Sequence, residues 1–131
     1  MKTLFELTNH SIRIIICSLL FIMISCGSRS PGNSYAYKTT TVSYYADKFD
    51  GKKTASGEVY RHSKHTASNT TLALGTRVEI LNINNNKSVI VTVNDRGPLK
   101  ASRAFDLSQS AFKKIANFNE GIVKVKYRIL R

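Results

Sequence analysis

Residues 89–98 change character abruptly halfway along, and they constrain the fold more than any other stretch of the chain. Their first half reads Val-Ile-Val-Thr-Val, a β-branched run that favours a buried or half-buried strand. Their second half reads Asn-Asp-Arg-Gly-Pro, and the Gly-Pro pair ends the strand. Asp95 therefore stands at the end of a rigid strand, which suits a catalytic acid because misplacement by about an ångström can cost ~100-fold in rate. A strand-ending Asx turn with a surface ion pair to Arg96 remains the alternative.

The first 25 residues are typical of an export signal. Lys2 and Arg13 flank the amino-terminal region, and residues 14–24 form an apolar run that is too short to span a bilayer. No second apolar run of spanning length follows, so the sequence predicts no transmembrane helix. A buried N-terminal helix is the alternative interpretation.

The end of this signal, Ser25-Cys26, resembles a bacterial lipoprotein signal, in which the cysteine is lipidated and becomes the new N-terminus. We therefore predict a signal at residues 1–25, a polar tether at 26–38 and one folded domain at 39–131. The mature protein keeps one cysteine and so has no disulfide. Ordinary cleavage near this position, with Cys26 left as a free thiol, is the alternative.

A strong positive charge is the other global feature. The chain carries a formal net charge of +12, and such an excess attracts polyanions. Nucleic acid is not expected as a partner of an exported protein. Anionic lipid headgroups and the acidic polymers of a cell envelope are expected instead. A solvated basic face without a specific partner also explains the charge.

Strand patterns dominate the domain, and they predict a mainly β fold. A hairpin is expected over residues 77–94, with an Asn-rich turn at 84–87. Further short strands are expected at residues 41–45, 58–60 (a brief strand or a turn) and 123–129. Ser108 is the predicted N-cap of a short helix whose apolar face contains Ala111 and Ile115. Several short strands and one helix predict a small closed barrel, which leaves few open edges.

Carboxylates are the only candidates for chemistry. His62 and His65 have no cysteine or carboxylate at metal spacing, so neither a metal site nor a cofactor is expected. The sequence contains no phosphate-binding glycine loop and no nucleophile elbow. Glu58, in a loop after Ser-Gly, and Asp95 are the best acidic pair. Asp106, within an apolar stretch, is interpreted as a structural cap, with a role in the site as the alternative.

Six short segments that follow one another in order make the sequence recognisable. They are Tyr44-Tyr45, residues 53–58 (Lys-Thr-Ala-Ser-Gly-Glu), 66–68 (Thr-Ala-Ser), 74–78 (Leu-Gly-Thr-Arg-Val), 93–98 (Val-Asn-Asp-Arg-Gly-Pro) and 106–108 (Asp-Leu-Ser). Together they resemble the rare lipoprotein A (RlpA) family of septal-ring lytic transglycosylases over about residues 42–130. The resemblance implies a six-stranded double-psi β-barrel with one or two short helices, the fold of expansins and barwin-like proteins.

The resemblance also implies an activity, the cleavage of peptidoglycan glycan strands without water to give 1,6-anhydro ends. Asp95 is then the acid and base, and Glu58 a second acidic residue lining the groove. Tyr45, Asn69 and Arg96 are the implied substrate contacts. We expect Arg96 to turn away from Asp95 or to bind substrate, because a neighbouring cation opposes the protonated form that an acid needs. The expected protein is a monomer, anchored by lipid in the cell envelope.

Two departures from the family pattern keep other functions open. Asn69 stands where the family commonly has a histidine, and an amide binds a sugar but does not carry a proton. The peptidoglycan-binding repeat domain that often follows in this family is not expected after Arg131, so targeting to the division site by that domain is not expected either. The alternatives are a non-catalytic, expansin-like glycan-binding lipoprotein and an envelope structural protein held by charge alone.

Overall fold

The computed structural model describes residues 36–130. The predicted signal, most of the tether and Cys26 lie outside these residues. Within 36–130, no helix has the length and apolar character needed to cross a membrane.

Six strands close into one barrel, which confirms the predicted fold class. Around the barrel the order is β1-β5-β2-β4-β3-β6. The β1–β5 and β2–β4 pairs are parallel, and the other four pairs are antiparallel. The strands are β1 (Lys38–Tyr44), β2 (Thr66–Ser68), β3 (Arg77–Asn82), β4 (Ser88–Asp95), β5 (Arg103–Leu107) and β6 (Val123–Leu130).

The predicted hairpin and the last strand are confirmed, because both show a clear alternation of apolar and polar residues. In β3, Val78 and Ile80 are buried while Arg77 is exposed. β4 buries its three odd-numbered valines, and β6 buries Val123 and Val125 in the same way. Each of these strands has one face in the barrel core and one face outward.

Two strands were missed, and of the two structures predicted for residues 58–60, a brief strand or a turn, the strand is absent. Residues 66–68, polar and without a period in the sequence, form the fully buried β2, and residues 103–107 form β5. Both pair with strands that are distant in the chain, so no local sequence pattern predicts them. Residues 58–60 form no strand and contribute only a bridge between Lys53 and Val59. β1 begins at Lys38, the last residue of the predicted tether.

The predicted short helix is α1 (Gln109–Ile115), and Ser108 is its N-cap residue. The Ser108 hydroxyl does not cap the helix, because it accepts a hydrogen bond from the backbone N–H of Thr66 at 3.2 Å. The helix buries Ala111, Phe112 and Ile115 against the barrel. Short 3₁₀ turns occur at Asp47–Phe49 and Phe118–Glu120. The core cluster of the described residues lies in the barrel, in α1 and at Ala116 just after it, so this segment has a hydrophobic core of its own.

Replacing Phe112 by alanine tests this core. Phe112 is fully buried and its ring centroid lies 4.7 Å from that of Tyr44. Phe112→Ala is expected to lower the free energy of unfolding of residues 36–131 by about 3–5 kcal/mol, measured by urea denaturation. Ile90→Ala is the control, because Ile90 lies on the outer face of β4, and its loss should stay within about 0.5 kcal/mol. Similar losses for the two variants would contradict this core assignment.

Candidate active site

Asp95 lies at the C-terminal end of β4, where three donors fix its carboxylate. The Tyr45 hydroxyl donates to Oδ2 at 2.7 Å. The backbone N–H groups of Ala55 and Arg96 donate to Oδ1 at 2.9 and 2.8 Å. With both oxygens held, the carboxylate has one orientation before any substrate arrives, which is the preorganisation that catalysis favours. The contact with the Arg96 N–H is local, because it comes from the next residue in the chain.

Tyr45, which donates to Asp95, is itself held in place by aromatic packing. Its ring stacks on Tyr60 with centroids 4.4 Å apart, and Phe49 meets it edge-on at 5.6 Å. Burial, and secondarily the hydrogen bond to the Asp95 carboxylate, raise the pKa of the Tyr45 phenol well above its ordinary value, so this hydroxyl keeps its proton and remains a donor. The pKa of Tyr60 is raised to about 12, chiefly by burial. Tyr45 therefore contacts Asp95 directly, as well as lining the open groove beside it.

Glu58 reaches the same strand end through Asn94. The loop of residues 54–58 folds back on β4: the N–H of Ser56 donates to the Asn94 carbonyl at 3.1 Å. The buried Asn94 side chain donates to Glu58 Oε2 at 3.3 Å. Gly57 has φ +88, a left-handed conformation that lets the loop turn before Glu58. The structure thus brings Glu58 close to Asp95, but Glu58 is exposed and does not line the groove.

A groove of about 370 Å³ opens in front of Asp95 and contains a second carboxylate, Asp106. β2 separates the two aspartates, since Ser68 is paired with Asp95 on one side and with Asp106 on the other. Two strand spacings place their backbones roughly 10 Å apart. The groove is lined by residues 44–46, 49, 68, 95–99, 103 and 106.

Asp106, which the sequence analysis interpreted as a structural cap, lines the groove. Arg103 forms an ion pair with it, with Nε 2.8 Å from Oδ1, and Arg103 Nη2 donates to Oδ2 at 3.3 Å. Burial nevertheless raises the pKa of the Asp106 carboxyl, against the lowering effects of Arg103 and Lys100. The available signal was the acidic residue within the apolar run Ala-Phe-Asp-Leu, because a strand places a carboxyl in such a run only where it has a partner or a role.

The Asn69 side chain is hydrogen-bonded to the protein's own backbone. Its Oδ1 accepts from the N–H groups of Thr71 and Leu72 at 2.9 and 2.7 Å, and its Nδ2 donates to the Ala104 carbonyl at 2.9 Å. The residue is only 5% exposed. These contacts shape residues 69–72 as an Asx-type turn. Direct substrate binding by Asn69 stays a prediction. The observed contacts of its side chain stabilise the turn of residues 69–72.

Arg96 turns away from Asp95, the first of the two expected outcomes. Its Nη1 donates to the carbonyls of Leu72 at 2.8 Å and Asn69 at 3.1 Å. The guanidinium therefore braces the turn of residues 69–72, while the backbone N–H of the same residue holds Asp95. Arg96 also lines the groove, so its predicted contact with substrate stays open.

Of the two histidines near Asn69 in sequence, His62 lies behind the tyrosine pair. Its Nδ1 lies 2.9 Å from the Tyr60 hydroxyl, and its Nε2 lies 3.8 Å from Asp47 Oδ1. His65 contributes its backbone carbonyl to Thr92. Neither histidine lines the groove. Among residues 36–130, no group of His, Cys, Asp and Glu side chains is arranged to hold a metal ion.

A closed barrel of six strands with a carboxylate groove at its strand ends defines the class as a double-psi β-barrel. The fold is similar to that of the expansin from Clavibacter michiganensis, with a TM-score of 0.61 and 18% identity over 73% of this chain and 51% of that one. The sequence model of the lytic transglycolase family matches residues 37–127, and the chain belongs to this family. The resemblance to the RlpA family is thereby confirmed.

Two relatives carry the RlpA name. The probable endolytic peptidoglycan transglycosylase RlpA of Treponema pallidum is 46% identical over 83 residues, which is 63% of this chain and 26% of that protein. The endolytic peptidoglycan transglycosylase RlpA of Haemophilus influenzae is 44% identical over 93 residues, which is 71% of this chain and 32% of that protein. The chain thus spans about a third or less of the length of these relatives.

Asn69→Ala separates a structural role from a binding role. The substitution leaves two backbone N–H groups and one carbonyl without their partner, so the free energy of unfolding should fall by about 1–3 kcal/mol. Thr70→Ala, at an exposed neighbouring position, is the control and should change it by less than about 0.5 kcal/mol. Urea denaturation measures both. An Asn69→Ala variant of wild-type stability would show that these contacts do not support the fold.

The raised pKa of Asp106 predicts a pH dependence of stability. Because the folded state holds this proton more tightly than the unfolded state, stability falls as pH rises from the ordinary aspartate range through the raised pKa, and it is level above that. Asp106→Asn removes this decline, since an amide does not titrate. The variant leaves Arg103 without its partner, but this cost is constant because arginine stays charged. Denaturation curves between acidic and neutral pH measure the slopes, and parallel slopes would contradict the pKa shift.

Proposed function

We propose that this protein is an endolytic peptidoglycan lytic transglycosylase that cuts between N-acetylmuramic acid and N-acetylglucosamine. The observation that carries the proposal is the Asp95 carboxylate, held by three donors at the edge of an open groove. Membership of the lytic transglycolase family and the names of the relatives support the same activity.

The reaction needs one carboxyl group that first gives and then takes a proton. Protonated Asp95 donates to the glycosidic oxygen, and the bond between this oxygen and the anomeric carbon breaks. The 6-hydroxyl of the muramic acid attacks the anomeric carbon and passes its proton to Asp95. The product is a 1,6-anhydro end, with no water consumed, and the acid is regenerated. The rigid support from Tyr45 and two N–H groups keeps the carboxyl in line for both transfers.

The other two carboxylates have different tasks in this proposal. Asp106 faces the same groove, and in its ionised form it stabilises the oxocarbenium-like transition state. Glu58 lies outside the groove wall and acts through Asn94, by fixing the loop whose Ala55 N–H holds Asp95. Arg96 and Tyr45 contribute wall positions on which the glycan rests, and Asn69 shapes the adjoining turn.

A second candidate function is glycan binding without cleavage, in the manner proposed for an expansin-like module. Asn69 favours it, because the position where the family commonly has a histidine holds an amide engaged with the backbone. A side chain in that state does not transfer protons. The presence of two carboxylates, Asp95 and Asp106, in one groove favours the enzyme.

The proposed location is the cell envelope, with the chain attached to a membrane by a lipid on Cys26. The lipoprotein-like residues Ser25-Cys26 after an apolar run support the anchor, and the names of the relatives support a partner in the wall. We propose a monomer that uses no cofactor and binds no nucleic acid.

Digestion of purified substrate tests the activity. Residues 36–131 are incubated with peptidoglycan sacculi and with glycan strands stripped of stem peptides, and the products are identified by mass spectrometry. We expect anhydro-ended products from the wild type. Asp95→Asn should lower the rate by about 10²–10⁴-fold, because the amide is not acidic enough to protonate the glycosidic oxygen.

The matched control is Glu120→Gln, which makes the same carboxylate-to-amide change away from the groove and keeps the acceptor for the Asn117 N–H. It should retain wild-type activity. Reducing-end products would mean hydrolysis and would overturn the proposed chemistry. Co-sedimentation with glycan and no products from the wild type would support the binding module instead.

A further inference from the structure

Five lysines gather around the turn of the β3–β4 hairpin, at the opposite end of that hairpin from Asp95. The turn is the meeting point: the Asn82 and Asn85 side chains donate to the Ile115 carbonyl, and the Ile83 N–H donates to the Lys124 carbonyl. Lysines lie on every element that meets there. They are Lys87 in the turn, Lys113 and Lys114 in the last turn of α1, and Lys124 and Lys126 on β6, and we call them the lysine cluster.

The members of the lysine cluster point outward and have no acidic partner among the described residues. Lys124 and Lys126 are exposed, alternate with buried valines on β6 and so stand on one face, about 7 Å apart along the strand. The nearest acidic residue on that face, Glu79, is already bonded to Arg128 and to the Tyr37 hydroxyl. Glu120, near the end of α1, accepts from the Asn117 N–H.

Acidic residues are concentrated at the other end of the molecule. Five of those described lie in the groove or in the 47–62 loop region beside it: Asp47, Asp50, Glu58, Asp95 and Asp106. Seven residue steps along β4 separate Ser88 from Asp95, which is roughly 23 Å. Basic residues accompany them there (Lys48, Lys52, Lys53, Arg61, Arg96 and Arg103), so the groove end has mixed charges, whereas the lysine cluster carries positive charge alone.

We propose that the lysine cluster docks on an anionic membrane surface, so that the groove faces away from the lipid toward the wall. This inference rests on the proposed lipid anchor at Cys26. From Cys26 to Ala36 the chain spans at most about 36 Å in any conformation, so the anchored domain stays near the bilayer. The chain also enters the barrel beside the cluster, since Thr39 at the start of β1 is paired with Lys126.

Charge complementarity favours lipid headgroups over a specific small ligand. The lysines are exposed side chains on three elements, and the buried polar side chain between these elements, Asn82, is already bonded to the Ile115 carbonyl. Each lysine near an anionic bilayer strengthens binding by about five-fold, and the attraction falls off within a Debye length. Several such residues on one face give orientation as well as affinity, whereas an anchor alone leaves the domain free to turn.

Vesicle sedimentation tests the proposal on residues 36–131, which lack Cys26 and so report the surface alone. The probe is vesicles of equimolar phosphatidylcholine and phosphatidylglycerol, compared with phosphatidylcholine alone. We expect binding to the anionic vesicles that is lost at ~1 M salt, where the Debye length is ~3 Å. Lys124→Gln/Lys126→Gln should weaken it by roughly 20- to 30-fold.

Lys52→Gln/Lys53→Gln is the matched control, with the same loss of charge in the loop beside the groove, and it should weaken binding only a few-fold. Equal losses for the two pairs would mean that binding follows net charge, and would overturn the proposal. So would wild-type binding to an acidic polysaccharide with none to vesicles, which would indicate a wall polymer. Digestion of glycan strands by Lys124→Gln/Lys126→Gln should match the wild type, so a failure of the proposed enzyme activity is seen separately.

Discussion

Parallel pairing between β2 and β4 sets Ser68 beside Asp95, and the antiparallel pairing of β2 with β5 sets Asp106 on the other side of Ser68. One short buried strand thereby fixes the spacing of both groove carboxylates. The support of each is then local: Tyr45 and the 54–58 loop hold Asp95, and Arg103 holds Asp106. Closure of the barrel makes this arrangement rigid, because none of its six strands has a free edge that would let it slip.

Sequence patterns predicted the parts of the fold that repeat locally. The β3–β4 hairpin and β6 alternate clearly, and the position of Asp95 followed from the strand that carries it. Sequence patterns could not predict β2 and β5, because both strands are short, contain polar residues and pair with strands far away in the chain. The same limit applies to the site: the contact between Tyr45 and Asp95 joins residues 50 positions apart, and nothing local predicts it.

Asn69 and Arg96 show how a departure from a family pattern is accommodated. The amide of Asn69 satisfies two N–H groups and one carbonyl, and Arg96 satisfies the carbonyls of residues 69 and 72. Together they hold the turn that lines a second pocket, and this pocket shares Pro98, Leu99 and Arg103 with the groove. The position where the family commonly has a histidine is therefore used for bracing, and in the proposed reaction both proton transfers fall to Asp95.

These two carboxylates differ in what their surroundings do to them. Asp95 is oriented by donors on both oxygens, whereas Asp106 is partly buried with a raised pKa and Arg103 at its side. Ionisation of Asp106 therefore changes the charge of the groove with pH. The hydrogen bonds to Asp95 fix the orientation of its carboxylate. A substrate that develops positive charge at its anomeric carbon gains most when Asp106 is ionised. In the proposed reaction, the rate of cleavage therefore gains a pH dependence from Asp106, because the transition state is stabilised by its ionised form.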